Sequence, residues 1–453
     1  MKRITGTHLY TFLKCPRAVA LDMHGDRDQR RPFTEAEEFS LQRGRDLESR
    51  IVADLEFVEP EYPQRDFDAG AAATLKLMRE GVPGIAQGVL LGEQRLGIPD
   101  LLRREEGPSA FGEYHYVVGD IKSSARPRGD QILQIMFYTQ LLAKVQGREP
   151  DHAYLILKDG HEESFRPSDF SDAAQEVEQR VLTIATADAA DERSFLSAAC
   201  SSCRWSDFCM AELVAEDDLS LVSGMMRGLR MTLEAAGVTS VSSLCESATD
   251  SLAKRTRIEP ALLRQLRKAA QAQAAGEPLS LPRSRHQPIE SCAAVHLLRD
   301  AFADRVLWMG VLWPCEPDGE VFEAWPERAE DEGPAFEDLL ARVPREAPLL
   351  HYGSTLPWWH EEMSHQQGVG VEIEARMVDL KRRLRGAAIY QGPVFSMDDH
   401  VRFWLNLDPH REGDANAGAM WAEQPEGRAW LGKKGRSDLM DLALLKERAT
   451  ADE

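Results

Sequence analysis

The segments LGIPDLLRR (residues 96–104) and YHYVVGDIKSS (residues 114–124) decide the fold of this chain. Their β-branched and aromatic residues, with Gly and Pro as punctuation, predict two strands. Side chains alternate between the faces of a strand, so Asp120 and Lys122 share one face and Ile121 points into the core. With Asp100 on the neighbouring strand, two carboxylates and an ammonium suit a divalent cation and a polarised water. Taken alone, Asp120 and Lys122 also fit a plain ion pair on an exposed sheet.

Two predicted helices flank these strands. Residues 129–146 form one, and Gln134 and Tyr138, four apart in QIMFY, lie on one of its faces. Residues 34–57 form the other, with Thr34 and an acidic first turn at its start and Glu48 four residues after Gly44. From the residues alone, Glu48 fits solvated surface, and Gln134 and Tyr138 fit helix surface and core packing.

The combined pattern resembles the catalytic core of PD-(D/E)XK nucleases of the RecB type. In that family an acidic residue on one strand precedes an acid-x-Lys on the next, and a Q-x-x-x-Y motif follows. Residues 84–92 predict a further strand, and residues 105–113 a hairpin loop between the strands 96–104 and 114–124. The predicted order of a helix, three strands, a helix and a strand is also the order of that core. The Gly44 to Glu48 spacing matches the family's first motif, in which a His or acidic residue stands four residues after a Gly.

The resemblance implies phosphodiester hydrolysis with one or two Mg²⁺ or Mn²⁺ ions. Lys122 would orient or help deprotonate the attacking water and stabilise developing charge, and Gln134 and Tyr138 would position the water and the DNA backbone. The implied metal ligands are Asp100, Asp120, the Ile121 carbonyl and Glu48. The implied catalytic set is Glu48, Asp100, Asp120, Lys122, Gln134 and Tyr138.

Four of the seven cysteines are spaced for metal binding rather than for disulfides. Cys200, Cys203 and Cys209 have the spacing C-x2-C-x5-C, and Cys15 lies in a C-P-R context near the start of the chain. Spacing alone leaves zinc and iron–sulfur open, because C-x2-C is common to both. One cysteine before the nuclease core and three after it resemble the iron–sulfur staple of AddB-type helicase-nucleases and RecB-like CRISPR-associated exonucleases. That resemblance implies a structural [4Fe–4S] cluster.

Composition limits the remaining possibilities. The formal net charge of −21 counts against a broad basic nucleic-acid surface, although a local basic groove fits within an acidic protein. The start of the chain lacks the apolar core of a signal peptide, and no apolar run approaches a membrane span. Together with the cysteine usage, this predicts a cytoplasmic protein with no membrane partner.

The second half of the chain gives weaker signals. Residues 219–237 are predicted as one helix that ends at Gly237, and residues 375–386 as another helix. Trp359 fits either the core or a contact patch. The segment GVTSVSSL (residues 237–244) resembles the turn and second helix of a helix-hairpin-helix unit, with a plain helical region as the alternative, and residues 277–288 read as a linker. Residues 289–453 resemble an RNase H-like exonuclease domain. PIESCAAVHLLRD (residues 288–300), before the first strand predicted there, contains no acid-x-acid. We therefore expect this domain to be inactive, with Asp379 and Asp441 only near where acids would fall.

The predicted fold class is α/β: a restriction-endonuclease-like PD-(D/E)XK core, a helical linker region and a C-terminal RNase H-like α/β domain. The predicted domains are residues 1–215, 216–280 and 281–453. We expect a metal-dependent DNA nuclease, an exonuclease on single-stranded DNA, acting in repair, recombination or defence. No G-x-x-x-x-G-K-[ST] phosphate loop occurs, so any helicase would be a partner protein. The alternatives are an iron–sulfur DNA-binding or scaffold protein with little or no nuclease activity, and a zinc-stapled RNA-processing enzyme.

Overall fold

In the computed structural model the chain divides into two compact units, which are described separately. The first unit comprises Met1–Phe33, Glu38–Ser194 and Ala199–Phe208, and the second comprises Thr34–Glu37, Phe195–Ala198 and Cys209–Glu453. The predicted boundary at residue 280 between a helical region and a C-terminal domain lies inside the second unit. The structure describes residues 2–124, 126–187, 190, 192–280, 289, 291–300, 305–367, 373–401 and 425–450.

Among its described residues, the first unit contains six α-helices and eight strands, with the first residues of the third helix assigned to the second unit. The helices are α1 (Gly6–Lys14), α2 (Pro16–His24), α3 (Glu35–Asp54), α4 (Phe67–Glu80), α5 (Gly129–Gln146) and α6 (Ser171–Thr186). The strands are β1 (Ile4–Thr5), β2 (Gly84–Ala86), β3 (Leu90–Leu91), β4 (Arg95–Gly97), β5 (Leu101–Ser109), β6 (Gly112–Ile121), β7 (Ala153–Ile156) and β8 (Glu162–Phe165).

A five-stranded sheet in the order β2-β5-β6-β7-β8 organises this unit. Strands β5 and β6 form an antiparallel hairpin, and β7 runs parallel to β6 because α5 provides the crossover between them. The face of β6 that carries Tyr116 and Val118 is buried with Ile135 and Leu142 of α5. The predicted order of helix, strands, helix and strand is therefore present, and α5 occupies the predicted residues 129–146.

Two predicted strands of the first unit are each divided in the structure. The segment 96–104 ends one strand, β4, and starts another, β5, and these belong to different sheets. The segment 84–92 likewise divides into β2 and β3. A proline lacks the amide donor that a ladder needs, so Pro99 falls at the break and Asp100 lies just outside β5.

The predicted hairpin loop at residues 105–113 is mostly strand. Strand β5 continues to Ser109 through an irregularity in its register after Glu106, where Gly107 has a φ of 134°. A bulge of this kind accommodates Gly and Pro without ending the pairing.

One prediction for the helical part of the second unit was wrong. The segment 219–237 was predicted as a single helix, but the α-helix there begins only at Arg227. The αL end at Gly237 was predicted correctly, because Gly237 has a φ of 81° and Val238 N–H donates to Leu233 O. The helices here are α7 (Ser206–Ala215), α8 (Arg227–Ala235), α9 (Val241–Glu246), α10 (Thr249–Thr256) and α11 (Pro260–Ala275), with α7 starting in the first unit.

A second five-stranded sheet, in the order β12-β11-β10-β13-β14, forms the α/β part of the second unit. Strands β10, β11 and β12 are antiparallel neighbours, whereas β13 and β14 run parallel to β10. The strands are β9 (Leu279–Ser280), β10 (Ala293–Asp300), β11 (Arg305–Trp313), β12 (Glu320–Ala324), β13 (Leu349–His351), β14 (Met377–Asp379) and β15 (Ala388–Ile389). The helices are α12 (Ala329–Leu340), α13 (Thr355–Gln367), α14 (Leu380–Ala387), α15 (Met397–His400) and α16 (Pro425–Thr450).

Strands β10 and β14 were not predicted from the sequence, and neither were the short elements β9, β15 and α15. Strand β10 is almost wholly buried, so its side chains show no polar alternation, and its two alanines do not favour a strand. Strand β14 lies within the predicted helix 375–386. Most of the predicted linker, residues 281–288, lies outside the described residues. Trp359 packs in the core, which is one of the two places predicted for it. None of the helices that the structure describes is long and apolar enough to cross a membrane.

Candidate active site

The register of the β5–β6 hairpin brings the two predicted acids together. Leu101 pairs with Gly119, and the same register continued by one residue places Asp100 opposite Asp120. Both carboxylates are buried, with 8% of Asp100 and 1% of Asp120 exposed. Lys122 follows directly after β6, and its backbone amide donates to Ile156 O at 2.9 Å. Three of the predicted site residues therefore meet at the end of the central strand.

Asp100 is held by one donor on each carboxylate oxygen. Its Oδ2 accepts a hydrogen bond of 2.8 Å from the backbone amide of Ile121, and its Oδ1 accepts one of 3.1 Å from Gln87 Nε2. Gln87 was not among the predicted site residues. It precedes a glycine in an apolar segment, and nothing in its spacing ties it to Asp100.

Charges at the site are strongly coupled. Burial raises the pKa of Asp100 well above its usual range, and the neighbouring Asp120 carboxylate raises it further. Burial by itself would lower the pKa of Lys122, but Asp120 and Asp100 together outweigh that effect and raise it. The Lys122 ammonium forms an ion pair with Asp120 Oδ2. The two acids therefore favour the charged form of Lys122.

Gln134 and Tyr138 lie on the inner part of α5, as the spacing predicted. Gln134 Nε2 donates a hydrogen bond of 2.9 Å to the Tyr138 hydroxyl. Burial raises the pKa of Tyr138, and the Asp120 carboxylate adds to the shift, so the hydroxyl stays protonated beside the acids. Gly6, at the start of α1, packs against this pair: a Cβ there would lie 2.8 Å from Gln134 Cγ and 3.0 Å from the Tyr138 hydroxyl.

Glu48 lies at the edge of this cluster. It is half-buried on α3, and burial followed by the Asp120 carboxylate raises its pKa, while Lys122 and Arg45 oppose the shift. Glu48 is thus within electrostatic range of the buried acids. In the part of the chain that the structure describes, however, no three or more His, Cys, Asp or Glu side chains form a group that could hold a metal ion. Asp100 and Asp120 therefore lie together, whereas Glu48 does not form a metal-binding group with them in the described residues.

The donor set of Asp100 and Asp120 fits a hard divalent cation. Among the described residues, no donor makes a well-aligned hydrogen bond to the buried Asp120 Oδ2, although the Lys122 ammonium contacts it. Buried charges in proteins are paired or coordinate metals, and the single Lys122 ammonium cannot neutralise two buried carboxylates. Mg²⁺ and Mn²⁺ favour such oxygen ligands and are commonly held by one or two carboxylates, with water completing the shell.

The predicted cluster cysteines lie at three separate places in the sequence. Cys15 joins α1 to α2, and Cys200 and Cys203 lie around a 3₁₀ turn, with Cys209 in α7. The backbone amide of Trp205 donates to Cys203 Sγ at 3.4 Å. All seven cysteines are among the described residues, and none forms a disulfide there.

Residues 78–210 match the family model described as the PD-(D/E)XK nuclease superfamily. This segment is a PD-(D/E)XK nuclease domain. The match includes the hairpin with Asp100, Asp120 and Lys122 and the helix with Gln134 and Tyr138, and it excludes Glu48 and Cys15. No curated protein matches the chain. Members of the PD-(D/E)XK superfamily are generally nucleases that use Mg²⁺ or Mn²⁺, so the domain points to a nucleic-acid substrate.

Proposed function

We propose that this protein is a divalent-metal-dependent deoxyribonuclease whose reaction centre is Asp100, Asp120 and Lys122. The observation that carries the proposal is the meeting of two buried carboxylates and a lysine at the end of β6, within the PD-(D/E)XK domain. A bound Mg²⁺ or Mn²⁺ would neutralise phosphate charge and make the attacking water more acidic.

Each residue of the site has a distinct task in this proposal. Asp100 and Asp120 hold the cation, with the Ile121 carbonyl and Glu48 proposed as additional ligands. Lys122 orients the attacking water or helps to deprotonate it, and stabilises negative charge on the phosphate. The Tyr138 hydroxyl remains a hydrogen-bond donor, and Gln134 fixes its direction.

We further propose that Cys15, Cys200, Cys203 and Cys209 hold a structural [4Fe–4S] cluster. The order of the four cysteines supports this, and so does the Trp205 amide at Cys203 Sγ, because such N–H donors stabilise a thiolate. The absence of a described metal-binding group speaks against it. Iron and acid-labile sulfide analysis of anaerobically purified protein tests the cluster, and stoichiometric zinc without iron would contradict it.

For the second unit we propose an inactive RNase H-like sheet. The mixed order β12-β11-β10-β13-β14 supports the fold. Asp379 Oδ1 accepts from the amides of Gly353 and Lys381, as a capping residue does. In α16, Asp438 is paired with His296 of β10 and with Lys434. The Lys434 ammonium already neutralises this acid within the unit, which supports a scaffolding role.

The region around α8 and α9 supports the plain helical alternative. Backbone amides from Gly237 to Ser243 all donate within the protein: Asp217 takes two of them and Ser243 Oγ takes two more. A helix-hairpin-helix unit binds DNA backbone through such amides, and here they are already occupied. We therefore place the DNA contacts of this protein at the nuclease domain.

The proposed substrate is single-stranded DNA, cleaved from an end, in a cytoplasmic repair, recombination or defence process with a helicase as a partner protein. The test is cleavage of end-labelled single- and double-stranded DNA with Mn²⁺ or Mg²⁺. Asp120→Ala and Lys122→Ala are expected to abolish cleavage while far-UV circular dichroism stays unchanged. Retained cleavage in both variants would refute the site. DNA binding without cleavage by the parent would favour the scaffold alternative.

A further inference from the structure

Gln87 contacts Asp100 at two points. It lies between β2 and β3, where its backbone amide donates to the Asp100 carbonyl at 3.0 Å. Its side-chain Nε2 donates to Asp100 Oδ1 at 3.1 Å. The acceptor on Asp100 is a carboxylate, which fixes the Gln87 amide with its nitrogen toward Asp100. A single residue thus holds both the main chain and the side chain of Asp100.

The conformation of Gln87 is unusual for a glutamine. Its φ is 52°, in the left-handed region that favours glycine and, after it, asparagine. Glycine would form this turn with less strain and would keep the backbone hydrogen bond. The property that glycine lacks is the side-chain amide, and the only described hydrogen bond of that amide is to Asp100. The side chain is therefore explained by its contact with the carboxylate.

The hydrogen bond from Gln87 complements a second hydrogen bond to the Asp100 carboxylate, which comes from β6. The Ile121 amide holds Asp100 Oδ2, so the two donors approach the carboxylate from β6 and from the β2–β3 turn. Each carboxylate oxygen has more than one acceptor site, and one donor on each leaves capacity for a cation. An uncharged donor also adds no positive charge to compete with that cation. Hydrogen bonds of this kind orient metal ligands, and their loss typically weakens metal binding by about 10–100-fold.

We propose that Gln87 is a positioning residue of the nuclease site, which fixes the Asp100 carboxylate for a divalent cation without touching the cation itself. This inference rests on the proposed function. The informative variant is Gln87→Gly, because it relaxes the turn, keeps the backbone amide and removes only the side-chain donor. Loss of folding is therefore not expected to obscure the result.

The experiment measures Mn²⁺ binding by isothermal titration calorimetry, and DNA cleavage as a function of Mn²⁺ concentration. Binding that Asp120→Asn removes is taken as binding at the site, which excludes loose binding to an acidic surface. We expect Gln87→Gly to raise the site's Mn²⁺ dissociation constant by about 10–100-fold. Cleavage should shift to higher Mn²⁺ by a similar factor, with the KM for DNA unchanged.

Gln146→Ala is the matched control. Gln146 is a buried glutamine of the same unit, and its amide bonds the backbone N–H and C=O of Tyr116 on β6, away from the acids. This variant should lower the melting temperature and leave Mn²⁺ affinity unchanged. Parent-like Mn²⁺ affinity in Gln87→Gly would overturn the inference. If the parent binds Mn²⁺ and Gln87→Gly weakens it, but DNA is not cut, the role of Gln87 stands and the nuclease proposal fails. Absence of site-specific Mn²⁺ binding in the parent would overturn both.

Discussion

The Asp100 carboxylate accepts a 2.8 Å hydrogen bond from the backbone amide of Ile121, the residue between Asp120 and Lys122. This bond links the acid that precedes β5 to the main chain of β6. The Asp100 carboxylate therefore helps to hold β6 in place, in addition to supplying negative charge at the site. Removing only the charge should separate these two effects.

Asp100→Asn is the substitution that removes only the charge. The new amide oxygen can still accept from Ile121, and the Gln87 amide can turn over so that its oxygen accepts from the new NH₂ group. Burial of Asp100 beside another carboxylate raises its pKa, so a neutral side chain should leave the metal-free protein at least as stable as the parent. Cleavage should fall by more than the roughly 10–100-fold that is typical for loss of a residue that only hydrogen-bonds a metal ligand, because Asp100 is itself a proposed ligand.

Thermal unfolding without metal and cleavage at saturating Mn²⁺ check this prediction together. A variant that cleaves at the parent's rate would show that the charge of Asp100 is dispensable. A variant with a much lower melting temperature would show instead that the side chain is chiefly structural.

The contact of Gly6 with the Gln134–Tyr138 pair gives a second prediction. A Cβ at Gly6 would lie 2.8 Å from Gln134 Cγ and 3.0 Å from the Tyr138 ring, inside normal contact distance. Tyr138 is buried and cannot move far, so Gly6→Ala should displace the pair and destabilise the protein by about 1–3 kcal/mol. Cleavage should fall more than this loss of stability explains, because the Tyr138 hydroxyl lies beside the acids.

Gly129→Ala is the control for Gly6→Ala. Gly129 is also the first residue of a helix in the same unit, but a Cβ there would meet nothing within 4 Å. This variant should be neutral or stabilise α5 by up to about 1 kcal/mol, and it should leave cleavage unchanged. Cleavage assays beside urea denaturation compare the two variants. Equal activity in both would exclude a role for the Gly6 contact.

Local pattern was enough to predict that Asp120 lies beside Lys122 and Gln134 beside Tyr138, because strand alternation and helical spacing are properties of neighbouring residues. Contacts between distant segments were not predictable in this way. Gln87 reaches Asp100 only because its turn takes a positive φ, and Gly6 reaches Tyr138 only because α1 packs on α5. Strand β10 was missed for a different reason: a strand buried on both faces carries no alternating signal.

Glu332 in the second unit predicts a pH-dependent stability. Its carboxylate accepts from the Val306 amide at 2.8 Å and from Trp359 Nε1 at 2.7 Å. Burial raises the pKa of Glu332, and the two hydrogen bonds oppose that shift. Because the folded-state pKa is raised, the stabilising contribution is complete below the unfolded pKa and is lost as the pH rises through the folded pKa.

Trp359→Phe removes one of the two donors. We expect a loss of about 1–3 kcal/mol, greater at pH 8 than at pH 5, because the missing bond matters most to the ionised carboxylate. Hydrogen exchange at the Val306 amide, corrected for the intrinsic effect of pH, measures this loss of stability next to Glu332. Trp358→Phe is the control, since Trp358 stacks on Arg299 and does not bond the carboxylate. An equal loss at both pH values would contradict the assignment.

The packing of Trp308 gives the last prediction. Trp308 of β11 is fully buried, and a Cβ on Gly435 of α16 would lie 2.4 Å from its ring. The same edge of the ring also lies against Gly310, where a Cβ would be 2.0 Å from Cη2, so the ring has little room to move. Gly435→Ala should therefore destabilise the second unit by about 1–3 kcal/mol, although alanine favours a helix by about 1 kcal/mol.

Gly228→Ala in α8 is its control, because a Cβ there would meet nothing within 4 Å and should be neutral or stabilising. Hydrogen exchange in β11 is the appropriate measurement, since a protein of two units need not unfold in one transition. Faster exchange in β11 for Gly435→Ala alone is expected. Unchanged exchange would mean that α16 can shift along β11, and the close approach of the helix backbone to Trp308 would then not be what fixes α16 on the sheet.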